Sequence, residues 1–449
     1  MTALFPVHPK EPVKLRVSDN RRFLIFADGT PFFYLGDTAW ELFHRLSLPE
    51  AELYLRDRAA KRFTVIQAVV LAELDGLTVP NPAGDLPLLD NDPAQPNEAY
   101  FKHVDAVIDL AASLGLHIGL LPTWGDKWNL KWGLGPEIFT PENARHYGLF
   151  LGRRYRDRPL IWILGGDRPV ETPAHLEIIR ATAAGLRDGD GGEHLVTFHP
   201  PGGHTSAEYF HAEPWLDFNM WQTGHDRNRD VYASIATDYA LEPTKPCMDA
   251  EPGYEDHPAG FDLANGYLDD YDVRKSAYWA LFSGAHGHTY GAHPVWQMSW
   301  PGLEPVTFAR RTWTEALSLP GAGQMQHARA LLGSRPFLSR VPDQTLLTPA
   351  PERGAHYACA TRDESGSYAF VYLPSPRPVE IDPAKLSGDL LVAYWYDPRT
   401  GTAARVGVFP KAGLLQFLPP QVGPDWVLVL DDAARGFSPP GSSRSFMPG

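Results

Sequence analysis

Two carboxylates stand directly after short apolar segments of the chain. Asp167 follows residues 160–164 and two glycines, and Glu251 follows residues 246–249. Cleavage of a glycosidic bond needs such a pair: one protonated carboxyl group to assist the leaving oxygen, and one ionised group to attack the sugar or to activate water. The apolar segment before Asp167 predicts a raised pKa and the role of general acid. The nearby hydroxyl group of Tyr254 could hold Glu251 ionised, which predicts a nucleophile.

Polar and aromatic residues follow the other apolar segments, and sugar rings commonly stack on aromatic side chains through their apolar C–H faces. We expect the following residues to bind substrate: Asp37, Trp40, Trp124, His199, Trp221, Gln222, Asp249, Tyr254, His288 and Trp296. Other interpretations stay open for several of them. Asp37 could cap a helix, Asp249 could form a salt bridge, and the tryptophans could fill a core.

The segment from His286 to His288 has the His-x-His spacing of some metal sites, since alternate residues of a strand point the same way. No third ligand is evident nearby, whereas zinc sites use three or four protein ligands. We therefore expect hydrogen-bonding histidines, with no metal and no cofactor.

A repeating pattern of strands and helices has to position these residues. Eight apolar segments predict strands: residues 31–36, 63–70, 117–121, 160–164, 194–198, 218–221, 246–249 and 286–290. Helical periodicity lies between most of them, which predicts an α/β fold, the closed parallel (β/α)8 TIM barrel, with its chemistry at the strand ends. An open doubly wound sheet is the alternative, but no G-x-G-x-x-G signature follows an early strand.

The character of the sequence changes near residue 336. Residues 1–335 are expected to form a catalytic barrel, with an N-terminal β-hairpin at residues 21–29 that closes its bottom. Residues 336–436 contain short alternating strands separated by Gly, Pro, Asp and Ser, which predicts a C-terminal antiparallel β-sandwich. The last stretch, residues 437–449, is expected to be a disordered tail.

The amino-acid composition argues against several classes of binding partner. The 449 residues carry a net charge of -14 with a sequence pI of about 5.6, and no cluster of Lys and Arg argues for nucleic acid. The two cysteines, Cys247 and Cys359, predict neither a disulfide framework nor a zinc site. No apolar run is long enough for a signal peptide or a membrane span, which predicts no membrane partner and a cytoplasmic protein, or a secreted one if a leader was removed. The oligomeric state is not predicted.

Three motifs together resemble glycoside hydrolase family 140: GDTAW at residues 36–40, IWILGGD at residues 161–167 and DAEPGYE at residues 249–255. The turn WYDPRTG at residues 395–401 also resembles that family's second domain. Characterised members are apiosidases that act on plant cell-wall pectin. The resemblance implies a general acid at Asp167 and a nucleophile or base at Glu251. In the wider set of retaining barrel glycosidases the acid is usually a Glu preceded by Asn, and Gly166-Asp167 departs from that pattern.

The resemblance also implies an exo-acting glycoside hydrolase that releases a terminal sugar, D-apiose, from plant glycosides or pectin side chains by a retaining mechanism. The expected partner is therefore a small-molecule or oligosaccharide glycoside. The name of the sugar rests on the resemblance alone, whereas the reaction class also rests on the carboxylate pair. Two alternatives stay open: a glycosidase of the same barrel type that acts on another pentofuranoside or on a hexoside, and a non-catalytic carbohydrate-binding protein.

Overall fold

The structure is a computed structural model and describes residues 14–442. Residues 1–13, on which the leader prediction depends, and residues 443–449 of the expected tail lie outside the described residues. Within the described part of the chain, no helix is long and apolar enough to cross a membrane.

A three-stranded antiparallel sheet precedes the barrel and covers its bottom. It consists of β1 (Leu15–Val17), β2 (Leu24–Phe26) and β3 (Pro31–Phe32). Leu15, Leu24 and Phe32 share one apolar cluster with side chains inside the barrel. The ring of Phe32 lies 5.1 Å from that of His117, where a barrel strand begins. The expected hairpin thus gains a third strand, because Pro31 and Phe32 pair with β2 rather than begin the barrel.

Eight parallel strands follow and form the barrel: β4 (Tyr34–Thr38), β5 (Val65–Leu71), β6 (His117–Thr123), β7 (Leu160–Gly165), β8 (Val196–His199), β9 (Asn219–Trp221), β10 (Cys247–Asp249) and β11 (Gly287–Tyr290). They pair in the order β8-β7-β6-β5-β4-β11-β10-β9. Between β8 and β9 the backbone N–H of Asp217 donates to Val196 O at 2.8 Å. The Thr197 hydroxyl group donates to Phe218 O at 2.7 Å across the same gap. The predicted TIM barrel is confirmed, and each predicted strand overlaps an observed one.

Helices surround the barrel: α1 (Leu42–Arg45), α2 (Leu48–Ala60), α3 (Glu98–Ser113), α4 (Pro141–Tyr155), α5 (Pro173–Asp190), α6 (Ala207–Phe210), α7 (Val231–Tyr239), α8 (Asp270–Phe282), α9 (His293–Trp296), α10 (Trp313–Ala316) and α11 (Pro320–Gly333). A proline stands in the first turn of α2, α4, α5 and α11, where the missing N–H leaves no helical hydrogen bond unmade.

The two faces of each barrel strand meet different surroundings, because successive side chains point in opposite directions. In β4, Tyr34 belongs to the cluster inside the barrel, whereas Leu35 belongs to the core between the barrel and its helices. Parallel strands are apolar on both faces, so the sequence alone does not show which residues point inward. This alternation decides which strand residues reach the mouth of the barrel.

The C-terminal strands form a sandwich: β12 (Arg340–Pro342), β13 (Leu347–Thr348), β14 (Cys359–Asp363), β15 (Tyr368–Leu373), β16 (Val379–Ile381), β17 (Leu390–Asp397), β18 (Thr402–Pro410), β19 (Leu415–Phe417) and β20 (Trp426–Asp432). An antiparallel six-stranded sheet, β12-β14-β15-β20-β17-β18, faces a three-stranded one, β13-β16-β19. A separate apolar cluster fills the space between them. The predicted antiparallel β-sandwich is confirmed. Beyond it, the ring of Phe437 lies 4.7 Å from the guanidinium carbon of Arg335.

The sandwich packs on α8 of the barrel. Arg274 donates from Nε and from Nη2 to the carboxylate of Asp425, each at 2.8 Å, and both side chains are buried. Tyr278 stacks on Tyr372 with ring centroids 4.9 Å apart. A buried bidentate ion pair must keep both partners, since either charge alone would be left without compensation. The two domains are therefore held together by specific contacts as well as by apolar surface.

Candidate active site

A pocket of about 530 Å³ opens where the barrel strands end. Its lining includes seven of the predicted site residues: Trp40, Trp124, Asp167, Gln222, Glu251, Tyr254 and Trp296. The carboxyl ends of parallel strands meet at one edge, so residues far apart in sequence come together there. The fold thus brings both predicted catalytic carboxylates to the same pocket.

A left-handed turn at the end of β7 carries Asp167. Gly165, Gly166 and Asp167 have φ values of +93°, +102° and +57°. A Cβ atom on Gly165 would lie 2.4 Å from His199 O, and one on Gly166 would lie 2.7 Å from Gly125 N. Only glycine fits such close backbone contacts and adopts positive φ freely. The two glycines therefore let the chain turn Asp167 into the pocket.

Two donors hold one oxygen of the Asp167 carboxyl group. Trp132 Nε1 donates to Oδ2 at 3.0 Å, and Arg168 Nη1 donates to the same oxygen at 2.9 Å. Burial raises the pKa of Asp167 above its ordinary value, and the negative charge of Glu251 raises it further, which together outweigh Arg168. The side chain keeps 22% of its surface exposed through the pocket. A carboxyl group that favours the protonated form and faces a ligand is suited to general acid catalysis.

Glu251 has the opposite environment. Its Oε2 lies 3.0 Å from His199 Nε2, and its Oε1 lies 3.3 Å from His225 Nε2. The contact with His199 is short, although it does not meet strict hydrogen-bond geometry. Burial on its own would raise the pKa of Glu251, but the contacts with His199 and His225 lower it to about 2. Glu251 is therefore ionised, as a nucleophile or base must be.

The backbone fixes the tautomer of His225. The N–H of Tyr254 donates to His225 Nδ1 at 3.3 Å, so Nδ1 acts as an acceptor and the proton lies on Nε2. This proton faces Glu251, so the ring N–H of His225 stabilises the carboxylate. The ring centroids of Tyr254 and His225 are 4.5 Å apart, so the tyrosine keeps the imidazole in place.

Aromatic rings form the deep wall of the pocket. The ring centroids of Trp40 and Trp124 are 5.0 Å apart, and the edge of His199 meets Trp40 at 5.3 Å. Both tryptophans are buried apart from the surface that they give to the pocket. Aromatic faces of this kind bind the apolar C–H face of a sugar ring. The wall thus provides a stacking surface close to both carboxylates.

Comparisons with known proteins identify the family of the chain. Residues 18–339 match the family described as "Apiosidase-like, catalytic domain". The chain belongs to the apiosidase-like family. Residues 341–431 match the domain described as "Putative collagen-binding domain of a collagenase".

Solved structures that resemble the apiosidase-like chain are named more broadly, as glycoside hydrolases. One named "Glycoside hydrolase" is 34% identical, with a TM-score of 0.86, over 94% of this chain and 97% of its own. A glycoside hydrolase family 5 structure from Bacteroides vulgatus ATCC 8482 is 32% identical, with a TM-score of 0.88, over 97% and 96%. No curated protein matches the chain. The chain is thus a glycoside hydrolase with a barrel and a β-sandwich.

Asp37 does not reach the pocket of this apiosidase-like enzyme, which corrects its predicted role in substrate binding. It follows Leu35 by two positions and therefore points away from the barrel interior. Its Oδ2 accepts hydrogen bonds from Arg58 Nε and the Tyr54 hydroxyl group, each at 2.5 Å, and all three side chains are fully buried. Asp37 is part of an ion pair that joins β4 to α2.

Three further predicted binding residues also point outward. Asp249 is buried and accepts a 2.6 Å hydrogen bond from the Thr223 hydroxyl group, and burial raises its pKa to about 7. Trp221, in register with Asp249, packs against the core outside the barrel. His288 is in register with both Leu35 and Asp249 and shares their face. The prediction was wrong for all three, because a position at a strand end does not fix the direction of the side chain.

His199 contributes indirectly. It is fully buried and contacts Glu251, so it positions the carboxylate rather than forming part of the open surface.

The prediction missed several residues of the site. Glu73 lines the pocket after β5, in the same way that Asp167 follows β7, and an apolar strand followed by a carboxylate was a signal that could have found it. Arg168 donates to Glu73 Oε1 at 2.8 Å and so links this carboxylate to Asp167. Burial raises the pKa of Glu73 to about 7, although Arg168 opposes the shift. Trp132 lies in a loop and His225 follows a short strand, and no pattern marks either as functional.

Among the described residues, no group of three or more His, Cys, Asp or Glu side chains is placed to hold a metal ion. His286 and His288 are both fully enclosed, and burial lowers the pKa of each to about 3. Both are therefore neutral near pH 7. The two buried cysteines are free thiols.

Proposed function

We propose that Asp167 is the general acid and Glu251 the nucleophile of an exo-acting, retaining glycosidase that releases a terminal D-apiose from plant glycosides or pectin side chains. The observation that carries the proposal is the opposite shift of two carboxyl pKa values in one pocket, raised for Asp167 and lowered for Glu251. Pairs of carboxyl groups with divergent pKa values are the mark of an acid and its ionised partner.

In this mechanism each of the two carboxyl groups would take part in both steps of the reaction. Asp167 gives its proton to the leaving oxygen while Glu251 attacks the anomeric carbon, which forms a glycosyl ester. Ester formation removes the negative charge of Glu251, which is one cause of the raised pKa of Asp167. The pKa of Asp167 then falls, so it can take a proton from water as the water attacks the ester. The coupling between the two carboxyl groups thus supports a two-step, retaining reaction.

The choice of sugar rests on the family. The matched family is described as apiosidase-like, and the motifs resemble glycoside hydrolase family 140. Trp40 and Trp124 line the pocket and offer a stacking surface for a sugar ring, and the release of a terminal sugar rests on the resemblance. Other pentofuranosides and hexosides are the alternatives that a substrate screen must include.

The test begins with aryl glycosides, apioside included, and NMR detection of the anomer that is formed first. Asp167→Asn should lower kcat by several orders of magnitude on glycosides with poor leaving groups and far less on activated aryl glycosides, because good leaving groups need little protonation. Equal losses on both classes would exclude Asp167 as the acid. Azide should restore activity to Glu251→Gly and give the inverted glycosyl azide, while the wild type should first form the anomer with the configuration of the substrate; a first product of inverted configuration would make Glu251 a base rather than a nucleophile. Hydrolysis of a hexoside but not of an apioside would exclude the proposed sugar.

A further inference from the structure

One exposed aromatic side chain borders directly on the proposed acid. The indole ring of Trp132 lines the pocket and is 43% exposed, although its Nε1 donates to Asp167 Oδ2. Exposed aromatic side chains are common on protein surfaces and need no explanation by themselves. Trp300 is 48% exposed and does not line the pocket. Trp132 differs because its Nε1 is hydrogen-bonded to the proposed acid while the residue stays 43% exposed in the pocket, with Lys131 Nζ 5.9 Å from the ring centroid.

Arg168 contacts both the ring and the backbone of Trp132 and keeps the residue in place. Its guanidinium carbon lies 4.8 Å from the ring centroid, and its Nε donates to Trp132 O at 2.8 Å. The next residue, Gly133, has a φ of +104°, and a Cβ there would lie 2.4 Å from Arg168 Nη2. Further along, the N–H of Gly135 donates to buried Asp126 at 2.8 Å. The exposed ring is thus held in one place, so a ligand that contacts it pays little ordering entropy.

The position of the Trp132 ring determines which part of a substrate it would contact. A general acid lies beside the oxygen that leaves with the aglycone, so a group that is hydrogen-bonded to the acid borders the leaving group. We propose that Trp132 is the platform on which the leaving group stacks, and that this enzyme prefers leaving groups with a flat apolar ring face. The C–H face of a sugar ring and an aromatic aglycone both have this chemistry. The inference rests on the proposed function, because it takes Asp167 as the acid.

Two substitutions separate the platform from the hydrogen bond. Trp132→Phe removes the N–H and keeps a ring, whereas Trp132→Ala removes both. The comparison of the two variants therefore isolates the ring. We would measure KM and kcat for three glycosides of the same sugar that carry a methyl group, a phenyl group or a second sugar as the leaving group. Trp300→Ala is the control, since this ring is similarly exposed but outside the pocket.

We expect KM for the phenyl glycoside and for the disaccharide to be about threefold to tenfold higher in Trp132→Ala than in Trp132→Phe, as stacked rings contribute on this scale. KM for the methyl glycoside should agree within about twofold, and Trp300→Ala should match the wild type on all three. If KM increases for only one of the two ring substrates, the platform is supported. The substrate that is affected then shows whether the ligand of the platform is an aromatic ring or a sugar ring. Equal KM values for both variants on every ring substrate, or an equal increase on the methyl glycoside, would overturn the proposal.

Failure of the proposed function would look different. If Asp167→Asn keeps full activity on all three substrates, or if the wild type cleaves no glycoside, then Asp167 is not the acid and the platform loses its basis. If Asp167→Asn behaves as an acid variant and the two Trp132 variants do not differ, only the platform is wrong.

Discussion

His225→Phe tests whether the ring N–H of His225 keeps the proposed nucleophile, Glu251, ionised. The wild-type imidazole has Nε2 at 3.3 Å from Glu251 Oε1, and its tautomer is fixed by the backbone of Tyr254. Phenylalanine keeps a ring of similar shape but has no N–H. The substitution therefore removes the polar contact to the carboxylate and the acceptor of the Tyr254 N–H, while a ring of similar size stays in place.

The size of the effect follows from the shift of the pKa. The pKa of Glu251 falls from an ordinary 4.5 to about 2 despite burial, owing to His199 and His225. That net difference of roughly 2.5 units corresponds to about 3.4 kcal/mol at about 1.36 kcal/mol per unit, and because burial acts in the opposite direction the two histidines together contribute more than this. The contact with His199 is the shorter one, at 3.0 Å, so His225 supplies the smaller share. We expect its loss to raise the pKa of Glu251 by about one unit, which is about 1.4 kcal/mol.

The direction of the pH effect follows from the proposed role of Glu251. A nucleophile acts in its ionised form, so the acidic limb of the profile of kcat/KM against pH reports its pKa in the free enzyme. A higher pKa moves this limb to higher pH. Between about pH 2.5 and 4 the variant should lose a clearly larger fraction of its activity than the wild type, whose limb lies about one unit lower. Circular dichroism at each pH would separate this loss from acid unfolding.

His204→Phe is the matched control. His204 also lines the pocket, but its Nδ1 lies 2.7 Å from Glu208 and not near Glu251. This variant should keep the acidic limb of the wild type, whatever happens to KM. If His225→Phe also keeps that limb while its fold is intact, then either Glu251 is not the ionised group that limits the rate or its charge does not depend on His225.

Three further predictions concern other parts of the molecule. Trp132→Phe should move the basic limb of the same profile to higher pH by less than about one unit, because the lost N–H lowered the pKa of the acid Asp167; a shift to lower pH would contradict this. Arg274→Met should lower the free energy of unfolding by about 3 to 5 kcal/mol, measured by chemical denaturation, because Asp425 keeps a buried charge without its partner. The double variant with Asp425→Leu should recover most of this loss, and no recovery would show that the pair does not act as a unit. Chelator should leave kcat/KM unchanged, and a stoichiometric zinc content together with inactivation would overturn the expectation of a metal-free site.

The limits of sequence reasoning in this protein are physical. The barrel was predictable because apolar segments and helical periodicity alternate along the chain, and the strand ends then had to carry Asp167 and Glu251. The direction of each strand side chain could not be predicted, because both faces of a parallel strand are apolar. Asp37 points away from the barrel interior, and a shift of one residue along the strand would have placed it on the pocket-facing side. The placement of Trp132 depends on a loop held by Arg168, which has no periodicity to reveal it.

The departure from the usual glutamate acid leads to the last prediction. Asp167 has a φ of +57°, a conformation that Asp adopts more readily than Glu, and Gly165 and Gly166 let the backbone approach the pocket. We expect the turn to compensate for the shorter side chain. Asp167→Glu keeps the carboxyl group but extends it by one methylene, so the group can no longer sit against both Trp132 Nε1 and Arg168 Nη1.

Misplacement of a catalytic group by about 1 Å can cost about 10²-fold in rate. We therefore expect kcat of Asp167→Glu on poor leaving groups to fall by about that factor, with a smaller change in KM. Gly166→Ala should lose activity for the complementary reason, because its Cβ would displace the turn by contact with Gly125 N at 2.7 Å. Thermal melts of both variants would show whether the folded protein remains. If folded Asp167→Glu keeps activity within about threefold of the wild type on poor leaving groups, the length of the acid is not matched to this turn, and the two glycines need another explanation.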